Sequence, residues 1–230
     1  MDGSVNEWRA NSVDEDCVDE HSVGEQRPIG LGIKRAIDIL LALFGIFLLA
    51  PLLIICFISV LATSPGPAVF RHRRLGFNGK PFGCLKFRTM VTDAPQRLRQ
   101  ALDSDPAAAA EWAATCKLRR DPRVTTIGAI LRKSSLDELP QLFNVLRGDM
   151  SIVGPRPITE EELVRYSSAA SAYMACRPGI TGLWQVSGRS TTTYEKRVAC
   201  DAFYAQNWSL TLDAKILIVT LPTLLTDCAY

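Results

Sequence analysis

Two neighbouring acids, Asp137 and Glu138, stand a few residues beyond Arg132-Lys133 in the stretch KLRRDPRVTTIGAILRKSSLDELPQLFNVLRGDMSIVGPRP. Ser135 and Glu138 have the separation of a capping box, and Leu136 to Leu146 recur at helical spacing before Gly148, so the pattern predicts a helix starting at the acid pair. Pro140 could shift that start by a residue or two. A carboxylate there is kept ionised by the helix dipole and the nearby cations, and is then fit to act as a nucleophile or a metal ligand. Ordinary helix capping is the other reading of the same two residues. Gly154-Pro155-Arg156-Pro157 fixes one guanidinium between two prolines, a mount suited to bidentate phosphate binding or to a purely structural loop. Arg177-Pro178-Gly179 and Gly188-Arg189 present further arginines on turns. Trp184 either stacks on a base or fills the core, and Asp201, in CDAFYAQNW, either joins the carboxylates or lies on a helix surface.

Other chemistries find little support. The chain has no GxxxxGK[ST] loop and no GxGxxG after a strand, which removes P-loop and dinucleotide folds. His21 and His72 are its only histidines, too few for a His-based metal site or catalytic triad. Seven cysteines, at 17, 56, 84, 116, 176, 200 and 228, are odd in number and form no CxxC pair, so a disulfide framework or zinc site is not expected and a reducing, cytoplasm-facing setting is.

The elements that must position these residues begin with a division of charge. Residues 1–30 hold eight acids against Arg9 and Arg27, a balance of −6, which leaves +8 on the remaining 200 residues of this 230-residue chain of net charge +2. That first segment reads as a disordered acidic tail and lacks the pattern of a signal peptide. With acids interspersed through the body, +8 is too modest a charge for nucleic-acid binding. From Ile39 to Ala62 the chain runs 24 residues with Ser59 as the only polar side chain, a membrane segment by length. Lys34-Arg35 precede it and Arg71, Arg73 and Arg74 follow it, so both ends carry the cytoplasmic signature. Pro51 falls at its midpoint, and each half is roughly 16 to 18 Å long, about half the hydrocarbon thickness. A re-entrant helix that enters, breaks and returns satisfies both facts; a tilted spanning helix with a proline kink is the alternative.

Ser64-Pro65-Gly66-Pro67 ends this segment with turn chemistry, and short alternating apolar runs around Asn78-Gly79 predict a hairpin. Residues 65–92 carry six Lys/Arg and no acid, a face for anionic lipid or, in part, for a charged phosphate substrate. Pro106 is expected to divide the Ala-rich stretch 93–116 into two helices. The terminal run LDAKILIVTLPTLL is too short to span and reads as a core or interfacial helix. The expected architecture is α+β and mainly helical: tail 1–30, re-entrant membrane helix 31–64, and a cytosolic domain over residues 65–230 with amphipathic interfacial helices.

KRAIDILLALFGIFLLAPLL, LKFRTM, the stretch from DPRV to GPRP, and RPGITGLWQVSGR together closely resemble the bacterial sugar transferases, small monotopic polyprenyl-phosphate hexose-1-phosphate transferases, over residues 30–230. The resemblance implies transfer of a hexose 1-phosphate from a UDP-sugar to undecaprenyl phosphate, with release of UMP and initiation of exopolysaccharide synthesis. The family's acid dyad falls on Asp137 and Glu138, with Asp137 as the attacking nucleophile and both as ligands of Mg²⁺. Lys86 and Arg88 in LKFRTM, and Arg132, Arg156 and Arg177, match its basic positions, and Asp201 matches a carboxylate of the site. Where the family commonly carries Ser-Pro at the break in the membrane helix, this chain carries Ala50-Pro51. The run of the sequence looks most like the galactose-1-phosphate enzymes, with glucose 1-phosphate or a non-catalytic membrane-anchored regulator as alternatives. The implied setting is the bacterial inner membrane, catalytic domain facing the cytoplasm. Downstream glycosyltransferases are the further partners it implies, and a homodimer is compatible with it.

Overall fold

A computed structural model describes residues 32–115, 118–187 and 193–226. The acidic tail, Gly188-Arg189 and Cys17, Cys116 and Cys228 lie outside the described residues. Within them the protein is mainly helical with two two-stranded sheets. The first helix, α1, covers Ile33–Thr63 and is continuous, with Pro51 inside it. Pro51 does not end the helix, but its missing donor and its ring weaken the ladder at that point. By length and composition α1 is sufficient to cross a membrane, and only 17% of its most apolar window is buried. Phe44, Phe47 and Leu48 at its middle are 64%, 82% and 61% exposed. A helix apolar on all sides and largely uncovered is built to meet lipid.

The chain divides into two compact units, each containing part of α1 and part of the β1–β2 hairpin. The first comprises residues 32–47, 72–84 and 141–226 of the described chain. In it, β3 (Ser151–Val153) pairs in parallel with β4 (Gly179–Thr181), register Ser151 to Gly179 and Val153 to Thr181. The longer helices of this unit begin with the seven-residue helix Gln141–Arg147 and end with Tyr194–Gln206 and Leu210–Thr226. Its main core joins Val153, Leu183, Val186, Tyr204 and Ile216. The start of α1 is bound here by polar contacts: Lys34 donates to the Val153 carbonyl at 3.0 Å and to Asp213 at 2.6 Å, and Asp38 accepts from Ser151 Oγ and Ile152 N, both at 3.0 Å. The terminal helix buries Leu212 and Ile216 while Leu210 and Ile218 stay exposed, so one of its faces is core.

The second unit comprises residues 48–71 and 85–140. Here Cys56 and Val60 of α1 pack with Ala68, Phe87 and Leu131. Complete burial of a side chain such as Leu131 contributes about 2 kcal/mol. Strands β1 (Val69–Leu75) and β2 (Pro81–Phe87) form the expected hairpin. Asn78 and Gly79 supply its turn with φ of 55° and 68°, the positive values that Asn-Gly tolerates. Two helices follow, α2 (Ala94–Ser104) and α3 (Pro106–Thr115), divided at Pro106 as expected. Helix α4 (Thr126–Lys133) is capped by Thr125, whose Oγ1 accepts from Gly128 N at 2.9 Å. For the helix beyond the acids, numbered α5 (Gln141–Arg147), the capping-box expectation fails. Ser135 has φ 55° and makes no side-chain cap, and Leu136–Glu138 is a single 3-10 turn. Pro140 has no N–H to donate back to residue 136, so α-helix begins only after it. Gly148, with φ 92°, ends α5 as its position suggests. Chain order then gives α6 (Tyr194–Gln206) and α7 (Leu210–Thr226).

Candidate active site

The acid pair is presented by a sequence of local constraints. Ile127 and Leu131 hold α4 against the apolar cluster, which leaves Arg132 and Lys133 in its last turn. Ser134 closes the helix, its N and Oγ both donating to the Ile130 carbonyl. Ser135 then takes a left-handed backbone and the chain tightens into the 3-10 turn. Side chains three apart eclipse in such a turn, and Leu136 and Leu139 both enter the apolar cluster. Asp137 and Glu138, between them, are half-buried.

Lys86, on β2, donates to Glu138 Oε1 at 2.6 Å, and each side chain is about a quarter exposed, 26% and 23%. Arg132 Nε donates to Thr89 Oγ1 at 2.9 Å. Burial raises the pKa of Asp137 above its ordinary value; Lys86 and Arg132 oppose the rise and Glu138 adds to it. This reverses the expectation that dipole and cations would dominate: the turn is one 3-10 step with little dipole, and desolvation is the larger effect. A carboxylate stripped of water is a stronger base and nucleophile than one in bulk solvent. The donor set also suits Mg²⁺, which commonly takes one or two carboxylates and fills its remaining positions with water and substrate phosphate oxygens. No cluster of three or more metal-ligating side chains occurs among the described residues.

The remaining expected site residues have varied surroundings. Arg88 is 8% exposed and its guanidinium donates to the carbonyls of Ser64, Pro65 and Gly66. Lys86, Arg88, Arg132, Asp137 and Glu138 belong to one unit, and Arg156, Arg177 and Asp201 to the other. In that other unit Arg177 Nε donates to the Gly148 carbonyl at 3.0 Å, at the end of α5, and its guanidinium lies over the Phe77 ring at 5.6 Å. Arg156 lies 5.8 Å from the centre of the Trp184 ring, which packs against the main core. Asp201 is 1% exposed, so it is a core residue and not a surface acid. Its Oδ2 accepts from Tyr166 at 2.7 Å, and burial pushes its pKa up to about 7 against the opposing pull of Tyr166, Arg197 and Arg156.

Arg197 lies four positions before Asp201, the spacing of a charge pair on one helix face. It is 8% exposed, sits over both Trp184 (5.0 Å) and Tyr194 (5.4 Å), and donates to Glu162 at 3.4 Å. Glu162 also closes a capping box with Thr159 that T-x-x-E spacing would have revealed.

Comparison with known proteins bears on the whole arrangement. The bacterial sugar transferase family pattern matches residues 29–227. The exopolysaccharide production protein ExoY of Sinorhizobium fredii is 51% identical over 199 residues, 86% of this chain and 88% of that protein. The undecaprenyl-phosphate galactose phosphotransferase of Salmonella typhimurium is 47% identical over 199 residues, 86% of this chain but 42% of the relative. A UDP-glucose:undecaprenyl-phosphate glucose-1-phosphate transferase of Caulobacter vibrioides is 46% identical over 206 residues, covering 86% and 72%. Matched from the start of the membrane helix to the end of α7, and half identical to a full-length member, the chain belongs to the bacterial sugar transferases and is a transferase enzyme.

Proposed function

We propose that this enzyme transfers galactose 1-phosphate from UDP-galactose to undecaprenyl phosphate, releasing UMP and starting exopolysaccharide synthesis. The observation that carries the reading is the half-buried Asp137, with a raised pKa, beside a Glu138 already neutralised by Lys86. In the first step a carboxylate oxygen of Asp137 attacks the β-phosphorus of the UDP-sugar. The bond from that phosphorus to the bridging oxygen breaks, and UMP departs with the electron pair. The sugar phosphate is then held as an acyl phosphate on Asp137. In the second step an oxygen of undecaprenyl phosphate attacks the same phosphorus and the Asp137 carboxylate leaves, restored. A covalent relay lets a water-soluble and a lipid substrate use one site in turn. Lys86 holds Glu138 and draws down the charge around Asp137, while Arg132 adds positive potential where phosphate oxygens would sit. Mg²⁺, held by Asp137 and Glu138, would offset diphosphate charge that otherwise repels the attacking carboxylate.

For the membrane, the basic residues flanking both ends of α1 and the proline at its middle support a re-entrant helix. Lys34 and Asp38 are buried in hydrogen bonds to folded chain at one end, and the carbonyls of Ser64–Gly66 are held by Arg88 at the other. Pro51, inside the helix, lowers the cost of a bend between its halves. The catalytic domain then faces the cytoplasm at the inner membrane, where downstream glycosyltransferases take up the product. Glucose 1-phosphate is the second reading of the transferred group, favoured by the Caulobacter vibrioides relative.

The test is UMP release by the purified protein with undecaprenyl phosphate, Mg²⁺ and a panel of UDP-sugars. UDP-galactose should give release that disappears with a chelator and returns with Mg²⁺. Turnover of UDP-glucose alone would replace the donor, and binding without release for every sugar would leave a non-catalytic regulator.

A further inference from the structure

We propose that Arg88 is a positioning residue that locks the turn by which α1 ends to the strand carrying Lys86, and so sets the depth at which Asp137 and Glu138 meet a membrane-embedded acceptor. The inference rests on the proposed transfer to a lipid.

Strand β2 and the residues after it hold three partners within four positions. Lys86 reaches Glu138 of the acid pair. Two residues on, just beyond the end of the strand, Arg88 turns its fork onto the exit of α1. Its Nη1 donates to the Pro65 carbonyl, and its Nη2 to those of Ser64 at 2.6 Å and Gly66 at 3.2 Å. The neighbouring Thr89 accepts from Arg132 through Oγ1 and from Thr125 N through its carbonyl, which ties in both ends of α4. A planar guanidinium can grip several carbonyls at once, which a lysine cannot, and a cation beyond a helix C-terminus is stabilised by the dipole.

The turn is shaped for this grip from the other side. Gly66 has φ 109°, a left-handed conformation, and a Cβ built there would collide with Arg88 Nη1 and come within 3.0 Å of Thr92 Cγ2. Backbone and side chain are fitted to one another, so either partner can be perturbed independently. A UDP-sugar arrives from water and is indifferent to small changes of depth. The phosphate of a polyprenyl lipid is held near the bilayer surface, so a shift of the acid pair relative to α1 would penalise the acceptor alone.

The experiment uses the full chain in lipid nanodiscs and two variants, Gly66→Ala and Arg88→Lys. Both should raise KM for undecaprenyl phosphate by about fivefold or more while KM for the UDP-sugar changes by less than about twofold, since small misplacements of reacting groups are costly. Hydrogen exchange should quicken in residues 134–139 and stay unchanged in residues 150–182, which shows that the fold is intact. A rise in KM for the UDP-sugar would make Arg88 a donor-binding residue and overturn the proposal. Wild-type protein that releases no UMP would instead defeat the proposed function, and hydrogen exchange would still decide the clamp. Faster exchange over residues 134–139 in both variants supports it, and unchanged exchange overturns it.

Discussion

The carboxylate at Asp137 and the one at Asp201 have both been pushed up by burial, yet they occupy different kinds of place. Asp201 reaches about 7 and is 1% exposed, on a core helix under Tyr166 and close to Arg197. Asp137 is half-buried on a 3-10 turn, with a lysine and an arginine near enough to oppose its shift. The more perturbed group is the less accessible one. A displaced pKa marks a reaction site only where a substrate can also reach the group. On the proposed reaction Asp137 is the group that reacts, while Asp201 belongs to the core, hydrogen-bonded to Tyr166.

The contrast can be broken most severely at Asp137. Asp137→Asn should lower UMP release by about a thousandfold or more, because an amide cannot form the acyl phosphate. The measurement is single-turnover UMP formation with the fold verified by circular dichroism. Lys86→Met should reduce kcat/KM by about a hundredfold, since it removes the cation opposing the Asp137 shift and the ion pair to Glu138. The sign of its pH effect follows. Asp137 reacts when ionised, so activity rises with pH through its raised pKa. Without Lys86 that pKa rises further, and the acid limb of the pH–rate profile should move to higher pH.

At Asp201 the expected effect is on stability. Its folded pKa of about 7 lies above the unfolded carboxylate value of about 3.9, so the folded state binds the extra proton between those values. The contribution of this group is full below the unfolded value and is lost as pH rises through about 7. The melting temperature of Asp201→Asn relative to wild type should therefore climb between pH 5 and pH 8, and a difference independent of pH would count against the assignment. The smallest effect is expected at Arg177. Arg177→Met loses the bond to the Gly148 carbonyl and should cost about 1 kcal/mol in urea unfolding.

Local order in the chain made parts of this structure readable in advance. The apolar run, the Asn78-Gly79 turn, the division at Pro106 and the stop at Gly148 all follow from the chemistry of one or two residues. The acid pair was visible, but its turn was not: the missing N–H of Pro140 overrode the capping pattern, and nothing local announces a left-handed Ser135. The roles of the arginines were the least legible. LKFRTM displays the charge of Arg88 but not that its fork closes on carbonyls more than twenty residues earlier, a fact of tertiary packing. The same holds for Arg177 and Gly148, and for Arg197 between two aromatic rings.

The central claim is the covalent relay through Asp137, and intact-protein mass spectrometry tests it most directly. Protein mixed with UDP-galactose and Mg²⁺ without the lipid, then quenched, should gain the mass of one hexose phosphate on the peptide containing Asp137. The adduct should be absent in Asp137→Asn and should discharge when undecaprenyl phosphate is added. Full UMP release in the presence of the lipid, with no adduct at any time before it, would mean direct transfer between the two substrates and would contradict the account.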